Sequence, residues 1–230
     1  MSLVIAIDGP AGTGKSTVSR AVARKLGLAY FDTGATYRVG TLYCLKEGVD
    51  LTAADDVTAM VETMNVTLIL DPNNPLVLLD GEDVSRLIRT DAVALTVSHV
   101  ATNLAARRAL GSWQRKVIDS ERQGGFSHGN GVVAEGRDVT TVIAPDAEVR
   151  ILLTASEDAR VARRAGEGAD AATVREAVLG RDAKDSTVVN FMTAADGVVT
   201  IDTTDLTVDE VVDAVVALAR EALAAQESQP

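Results

Sequence analysis

The sequence predicts an α/β fold in which helices cover both faces of a parallel sheet, and three observations predict it. Short apolar runs alternate with helix-period stretches from Leu3 to Lys46, the pattern of parallel strands joined by right-handed crossovers. Hydrophobic residues make up 47% of the 230 residues and aromatics only 3%, so Val, Leu, Ile and Ala must fill the interior. That suits strands buried on both faces better than a sandwich leaning on aromatic pairs. A glycine-rich loop joins the first strand to the first helix, where such sheets open their binding crevice.

Residues 3–7 read as a buried strand ending in the turn signal Asp8-Gly9-Pro10. Residues 16–26 follow with Val18, Ala21, Val22 and Leu26 at helical spacing and stop at Gly27, a natural residue beyond a helix end. Residues 28–31 are a second strand and 34–46 a second helix. The runs 66–70 and 76–79 flank Asp71-Pro72-Asn73-Asn74-Pro75 and read as a hairpin, which has no place inside a βαβ repeat. They mark a small inserted subdomain with a short antiparallel sheet, spanning residues 41–90. Helical pattern resumes over 91–100 and 105–120, and the glycine-rich stretch 124–131 is a loop. Residues 131–134 and 149–153 are further core strands. Helices over 156–165 and 171–182, a strand at 198–202 and an amphipathic helix from 208 to 225 complete the chain, with a frayed tail from Gln226. The core is thus expected in 1–40, 91–155 and 195–230.

The net charge of −11 argues against a general electrostatic grip on nucleic acid or on an anionic membrane. Cys44 is alone, so no disulfide framework and no multi-cysteine metal site is available, and it reads as a small core residue. The opening run lacks a basic flank and is too short for a signal peptide or a membrane span. A cytoplasmic monomer is the expectation.

Gly9-Pro10-Ala11-Gly12-Thr13-Gly14-Lys15-Ser16 matches G-x-x-x-x-G-K-[ST], the phosphate-binding P-loop. Glycines let backbone N–H groups converge on phosphate oxygens where a Cβ would intrude. Lys15 brings a point charge to the β- and γ-phosphates, the Ser16 hydroxyl can ligate Mg²⁺, and the helix carrying Thr17 adds its positive end. The motif lies between a predicted strand and a predicted helix, the context it requires. The core is therefore expected to be a three-layer P-loop NTPase fold that binds ATP or GTP, with Mg²⁺ at Ser16.

A P-loop alone does not separate a switch, a motor and a small kinase. The N-K-x-D of a GTPase and the L-S-G-G-Q of a transporter ATPase are both absent. Arg160, Arg163 and Arg164 fall at i, i+3 and i+4 on one helix face, as an arginine-bearing lid over 156–190 requires, and Gly166 and Gly168 would let it open. Spacing alone equally suits a solvated face paired with Glu157 and Asp158. Glu135-Gly136-Arg137-Asp138 follows a strand, at the end where α/β sheets bind ligands.

These blocks resemble the bacterial cytidylate kinase family. The likeness rests on residues 7–16, on Phe31-Asp32-Thr33-Gly34-Ala35-Thr36-Tyr37-Arg38, on Gly81-Glu82-Asp83-Val84-Ser85 with Ile88-Arg89, and on Gln114-Arg115. Glu135-Gly136-Arg137-Asp138 with Pro145-Asp146-Ala147, and Arg181-Asp182 with Asp185-Ser186, complete it, in order over nearly the whole chain. The resemblance implies transfer of the ATP γ-phosphate to CMP or dCMP, with the insert as the NMP-binding subdomain and Lys15, Arg160, Arg163 and Arg164 as catalytic groups. It implies that Ser98, Arg107 and Asp138 read the cytosine ring. Thr33, Arg38 and Arg137 would surround the CMP phosphate, and Arg181 and Asp185 the ribose. Thr140 stands where the family has glycine, and Val188 where it usually has arginine. A Cβ at 140 would crowd the approach of backbone to ligand, and loss of the arginine would remove a charged hydrogen bond. A small P-loop kinase for another acceptor, and a nucleotide-binding protein with weakened catalysis, stay open as alternatives.

Overall fold

The computed structural model describes residues 2–165 and 171–227. Gly166 and Gly168 lie outside the described residues, as do the side chain of Arg181 and the chain beyond Glu227.

Strand β1 (Leu3–Asp8) is buried along its whole length. Leu3, Ile5 and Ile7 face one core with the first and last helices, α1 (Lys15–Leu26) and α8 (Val208–Glu227). Val4 and Ala6 face a second core on the opposite side, against Ile118 of the long helix α5 (Leu104–Gln123). A strand with two buried faces has no polar alternation to show, which is why it reads as a continuous apolar run. β1 pairs in parallel with β6 (Gly131–Gly136) and with β7 (Val149–Thr154). β2 (Ala29–Asp32) adds to β6, and β8 (Val199–Asp202) adds to β7. The order is β2-β6-β1-β7-β8, all parallel. Every functional loop therefore leaves the same edge of the sheet.

Helix α2 (Thr33–Lys46) starts directly from β2 because the Asp32 carboxylate accepts the Ala35 N–H at 3.1 Å, capping it. The predicted hairpin forms between β3 (Val66–Ile69) and β4 (Leu76–Leu79), and a two-residue strand, β5 (Glu82–Asp83), joins β4 to make a three-stranded antiparallel sheet. The sequence reading missed β5, and it missed α3 (Ala54–Thr63), which buries only Val57 and Val61. Two apolar positions one turn apart give no periodic run to detect. Helix α4 (Asp91–Thr102) leads into α5, whose first turn is capped by Asn103. Cys44 is fully buried in the core that Tyr37 shares with α3, α4 and α5.

A single π-type turn over Val139–Ile143 follows β6. Its cause lies 131 positions away in sequence. The buried Asp8 carboxylate accepts the N–H of Val139 at 3.0 Å and of Thr140 at 2.8 Å, plus the Thr140 hydroxyl at 2.6 Å. The expectation that Thr140 crowds a ligand is corrected by this placement: its side chain turns under the sheet edge to Asp8 and does not line the cleft. After β7 come α6 (Glu157–Ala165) and α7 (Ala171–Asp185).

Candidate active site

The loops at the carboxyl edge of the sheet surround one cleft of about 790 Å³. The P-loop forms its floor. Gly14 adopts a left-handed φ of 88° as the residue before α1, and no side chain caps that helix. The first-turn N–H groups are thus left for an anionic ligand. Gly12 is needed for a different reason: a Cβ there would come within 2.8 Å of the Arg160 carbonyl, so only glycine lets α6 sit on the loop. The Lys15 Nζ donates to the carbonyls of Gly9 at 2.6 Å and Pro10 at 2.8 Å, which holds its charge inside the loop. Burial pushes the ammonium down to about 8, although Glu135 pulls the other way. Ala11, Gly12, Thr13, Gly14, Lys15, Ser16 and Thr17 all line the cleft, with the Ser16 and Thr17 side chains exposed. Gly9 and Pro10 are the buried entry to it.

Beneath Ser16 two strand-end carboxylates stand side by side, Asp32 opposite Glu135 in the β2–β6 register. Burial alone would raise the Asp32 carboxyl, but Arg38 and Arg89 outweigh it and hold it below the usual range. Arg89 reaches it at 3.0 Å and Arg38 at 3.5 Å. Among the described residues Glu135 has no arginine partner, and Lys15 is the cation beside it. Burial and then the Asp32 charge push its carboxyl up, against Lys15 and the hydroxyls of Ser16 and Tyr30, the last donating at 2.6 Å. The sequence reading did not select Asp32, Glu135 or Arg89 as site residues. Their signal was position: both acids end strands that point into the crevice.

On the side away from the helix start of α1, Arg107 and Asp138 form a buried ion pair on the cleft wall. Arg107 also donates to the Ala101 carbonyl at 2.8 Å and lies over the Tyr37 ring, 5.4 Å from its centroid. Burial raises the Asp138 carboxyl, with Arg107 opposing. Thr33 is buried against the Glu135 carbonyl and Arg38 lines the cleft beside it. Ser98 stands apart: α4 turns Ala94, Val97 and Ala101 to the cleft, and Ser98 is half-buried beside that stripe.

Arg137 lines the cleft between the two halves, bonded to Asp182 at 2.7 Å, paired with Asp185, and set over the Phe191 ring at 4.7 Å. Burial pushes its guanidinium down to about 10. Asp185 also lines the cleft. Val188 does not, whereas its neighbour Val189 does.

The three lid arginines meet three different surroundings. Arg160 is buried and turns to Asp182 and the Ala11 carbonyl, away from the cleft wall. Arg163 lines the cleft and donates to the Thr203 hydroxyl at 2.9 Å, just past β8. Arg164 lies at the cleft mouth. Beyond Arg163, Leu206, Val208 and Val211 supply an apolar wall.

A parallel sheet with a P-loop at its centre, arginines converging from two sides and room opposite the loop in the same cleft define a P-loop phosphotransferase acting on a small acceptor. The family model for cytidylate kinase matches residues 5–221. A cytidylate kinase of Streptomyces avermitilis is 43% identical over 228 residues, covering 98% of this chain and 96% of that one. One of Nocardia farcinica is 45% identical, covering 92% and 90%. The chain belongs to the cytidylate kinase family. Among solved structures, a gluconokinase from Sinorhizobium meliloti shares the fold with a TM-score of 0.51 at 15% identity, over 99% of this chain and 98% of that one. An uncharacterised protein from Eubacterium ventriosum does so with a TM-score of 0.52 at 13% identity, over 96% and 99%.

Proposed function

We propose that this chain transfers the γ-phosphate of ATP to CMP or dCMP. The observation that carries the reading is the Arg107–Asp138 pair, a donor fork beside a carboxylate, facing the cleft across from the P-loop. A cytosine edge offers an exocyclic amine, which the carboxylate accepts, and a ring nitrogen and carbonyl, which the guanidinium reaches. The apolar wall of Leu206, Val208 and Val211 takes the donor base at the other end.

The two phosphates then meet above Lys15. Lys15 neutralises the β- and γ-oxygens, Arg137 and Arg38 hold the acceptor phosphate, and Arg163 and Arg164 close from the donor side. The attacking group is already a phosphate oxygen, so no strong general base is needed, and transfer is in line without a covalent enzyme intermediate. Ser16 and the Glu135 carboxyl beside it are hard oxygen groups that fit Mg²⁺. Among the described residues no cluster of three or more His, Cys, Asp or Glu could hold a metal, as suits an ion held mainly by phosphates and water. Bound there, Mg²⁺ would supply positive charge to the β- and γ-phosphates. The family resemblance assigns Ser98 to the base and Arg181 to the ribose, although Ser98 sits beside the cleft-lining stripe of α4 and not on it. Both halves of the cleft are complete within one chain, which supports a monomer. No helix among the described residues is long and apolar enough to cross a membrane, in keeping with a cytoplasmic enzyme.

A coupled ADP-release assay across CMP, dCMP, UMP, AMP, dTMP and shikimate tests the assignment. Strong preference for CMP and dCMP is expected. Preference for another acceptor, or ATP binding without turnover on any of them, would sink it.

A further inference from the structure

Asp182 is a buried carboxylate on α7, only 5% exposed, behind the cleft wall and not on it. Its Oδ1 accepts the N–H of Ala11 in the P-loop at 3.3 Å and a guanidinium N–H of Arg137 at 2.7 Å. Its Oδ2 accepts from Arg160, whose same nitrogen donates to the Ala11 carbonyl at 3.2 Å. One side chain thus ties the second lid helix to the phosphate loop, to the first lid helix and to a cleft-facing arginine.

We infer that Asp182 is a positioning residue for phosphoryl transfer: it presents the Arg137 guanidinium to the transferring group only when α7 is seated on the P-loop. The inference rests on the phosphotransfer reading above. The geometry carries it in three steps. Both oxygens are used, Oδ1 by the P-loop and Arg137 and Oδ2 by Arg160, so the neutral amide of Asn satisfies only one side and turns an NH₂ toward an arginine. Arg137 faces the cleft while Asp182 does not, so the carboxylate acts on the reaction through the arginine and takes no substrate contact of its own. The Phe191 ring under Arg137 and the pairing with Asp185 leave the guanidinium little freedom once Asp182 is in place. Lid seating and arginine alignment become one event, since the same carboxylate makes both contacts.

The test uses the full chain with Asp182→Asn, Asp182→Ala and Asp182→Glu, each checked by thermal unfolding. In steady-state transfer from ATP to CMP, the Asn and Ala variants should lose at least about tenfold in kcat, the loss expected when a charge-stabilising donor is displaced. KM for ATP should change less than about threefold, while KM for CMP should rise, since Arg137 also holds the acceptor phosphate. Asp182→Glu, which keeps the charge, should recover part of kcat. Hydrogen exchange of the α7 amides should quicken at least about fivefold in Asp182→Asn, with β1 and β6 unchanged, as local unseating predicts. Unchanged kcat, or unchanged α7 exchange, overturns the inference. So does tighter ATP binding with kcat preserved, which would make Asp182 a stand-in for a phosphate. Wild-type turnover of CMP in the same assay separates the two claims: its absence sinks the acceptor assignment, while its presence with an unaltered Asp182→Asn sinks this one. If no Asp182 variant folds, Arg160→Lys should still lower kcat without raising KM for ATP, and a wild-type kcat there counts equally against it.

Discussion

Removing the Asp138 carboxylate (Asp138→Ala) is the perturbation that most sharply probes the acceptor pocket. Asp138 and Arg107 are about nine-tenths buried, with side-chain exposures of 8% and 13%. The variant deletes one charge-assisted bond to the cytosine amine, about 1.5–3 kcal/mol. It also frees Arg107, which keeps only the Ala101 carbonyl and the Tyr37 ring to fix its direction. The second effect pushes the loss to the upper half of that range, so kcat/KM for CMP should fall about 30- to 150-fold at 1.4 kcal/mol per decade. The proposed ATP contacts lie on the other side of β1, so the ATP dissociation constant should stay within about twofold, as expected for sites without shared partners. ADP release at saturating ATP with CMP varied gives the first number, and titration of a fluorescent ATP analogue gives the second. Equal loss of ATP binding and CMP use, or a fall in kcat/KM of less than threefold, would refute the placement of the base pocket.

Two further expectations follow from the same contacts. Thr140→Val keeps the volume but removes the 2.6 Å hydroxyl bond to buried Asp8, and should cost about 1.5–3 kcal/mol in urea unfolding with kcat nearly unchanged; unaltered stability would show that the hydroxyl does not serve Asp8. Lys15, pushed down to about 8 by burial, should make kcat/KM for ATP fall roughly tenfold per pH unit above that value, because the free enzyme loses its ammonium, whereas kcat falls later once bound phosphates draw the proton back. The stability sign is opposite: the fold disfavours the charged form, so unfolding takes up a proton between pH 8 and the unfolded value of 10.5, and this group's contribution to stability rises across that window.

The parts of the fold written locally were legible. The P-loop is one contiguous motif, and the core strands are apolar runs because both sheet faces are covered. The hairpin announced itself through Asp71-Pro72-Asn73-Asn74-Pro75. What escaped is what distant residues impose. The π-type turn at 139–143 exists because Asp8 reaches across to it. Helical spacing put Arg160, Arg163 and Arg164 on one face, yet Arg160 and Arg163 are separated by Asp182 and Thr203, which lie 22 and 40 positions downstream of them. Neither partner is visible from the helix itself. Thr140 was read as an intruder on the ligand because a lone substitution shows no direction; only the fold turns it toward Asp8.

The strand order carries a consequence for how this enzyme could diversify. In the proposed reading the acceptor base and phosphate lie over β2 and β6, ATP lies over β7 and β8, β1 delivers the P-loop between them, and α7 reaches across with Asp185. The reaction therefore runs sideways across the sheet, from one flank to the other, with the phosphoryl group crossing at the central strand. Because the three-stranded insert and α3 lie in the connection between β2 and β6, the chain can lengthen, shorten or reshape one flank without rewriting the other. Base choice, unlike the α7 contacts that join both substrates to the P-loop, can in this architecture change within one flank.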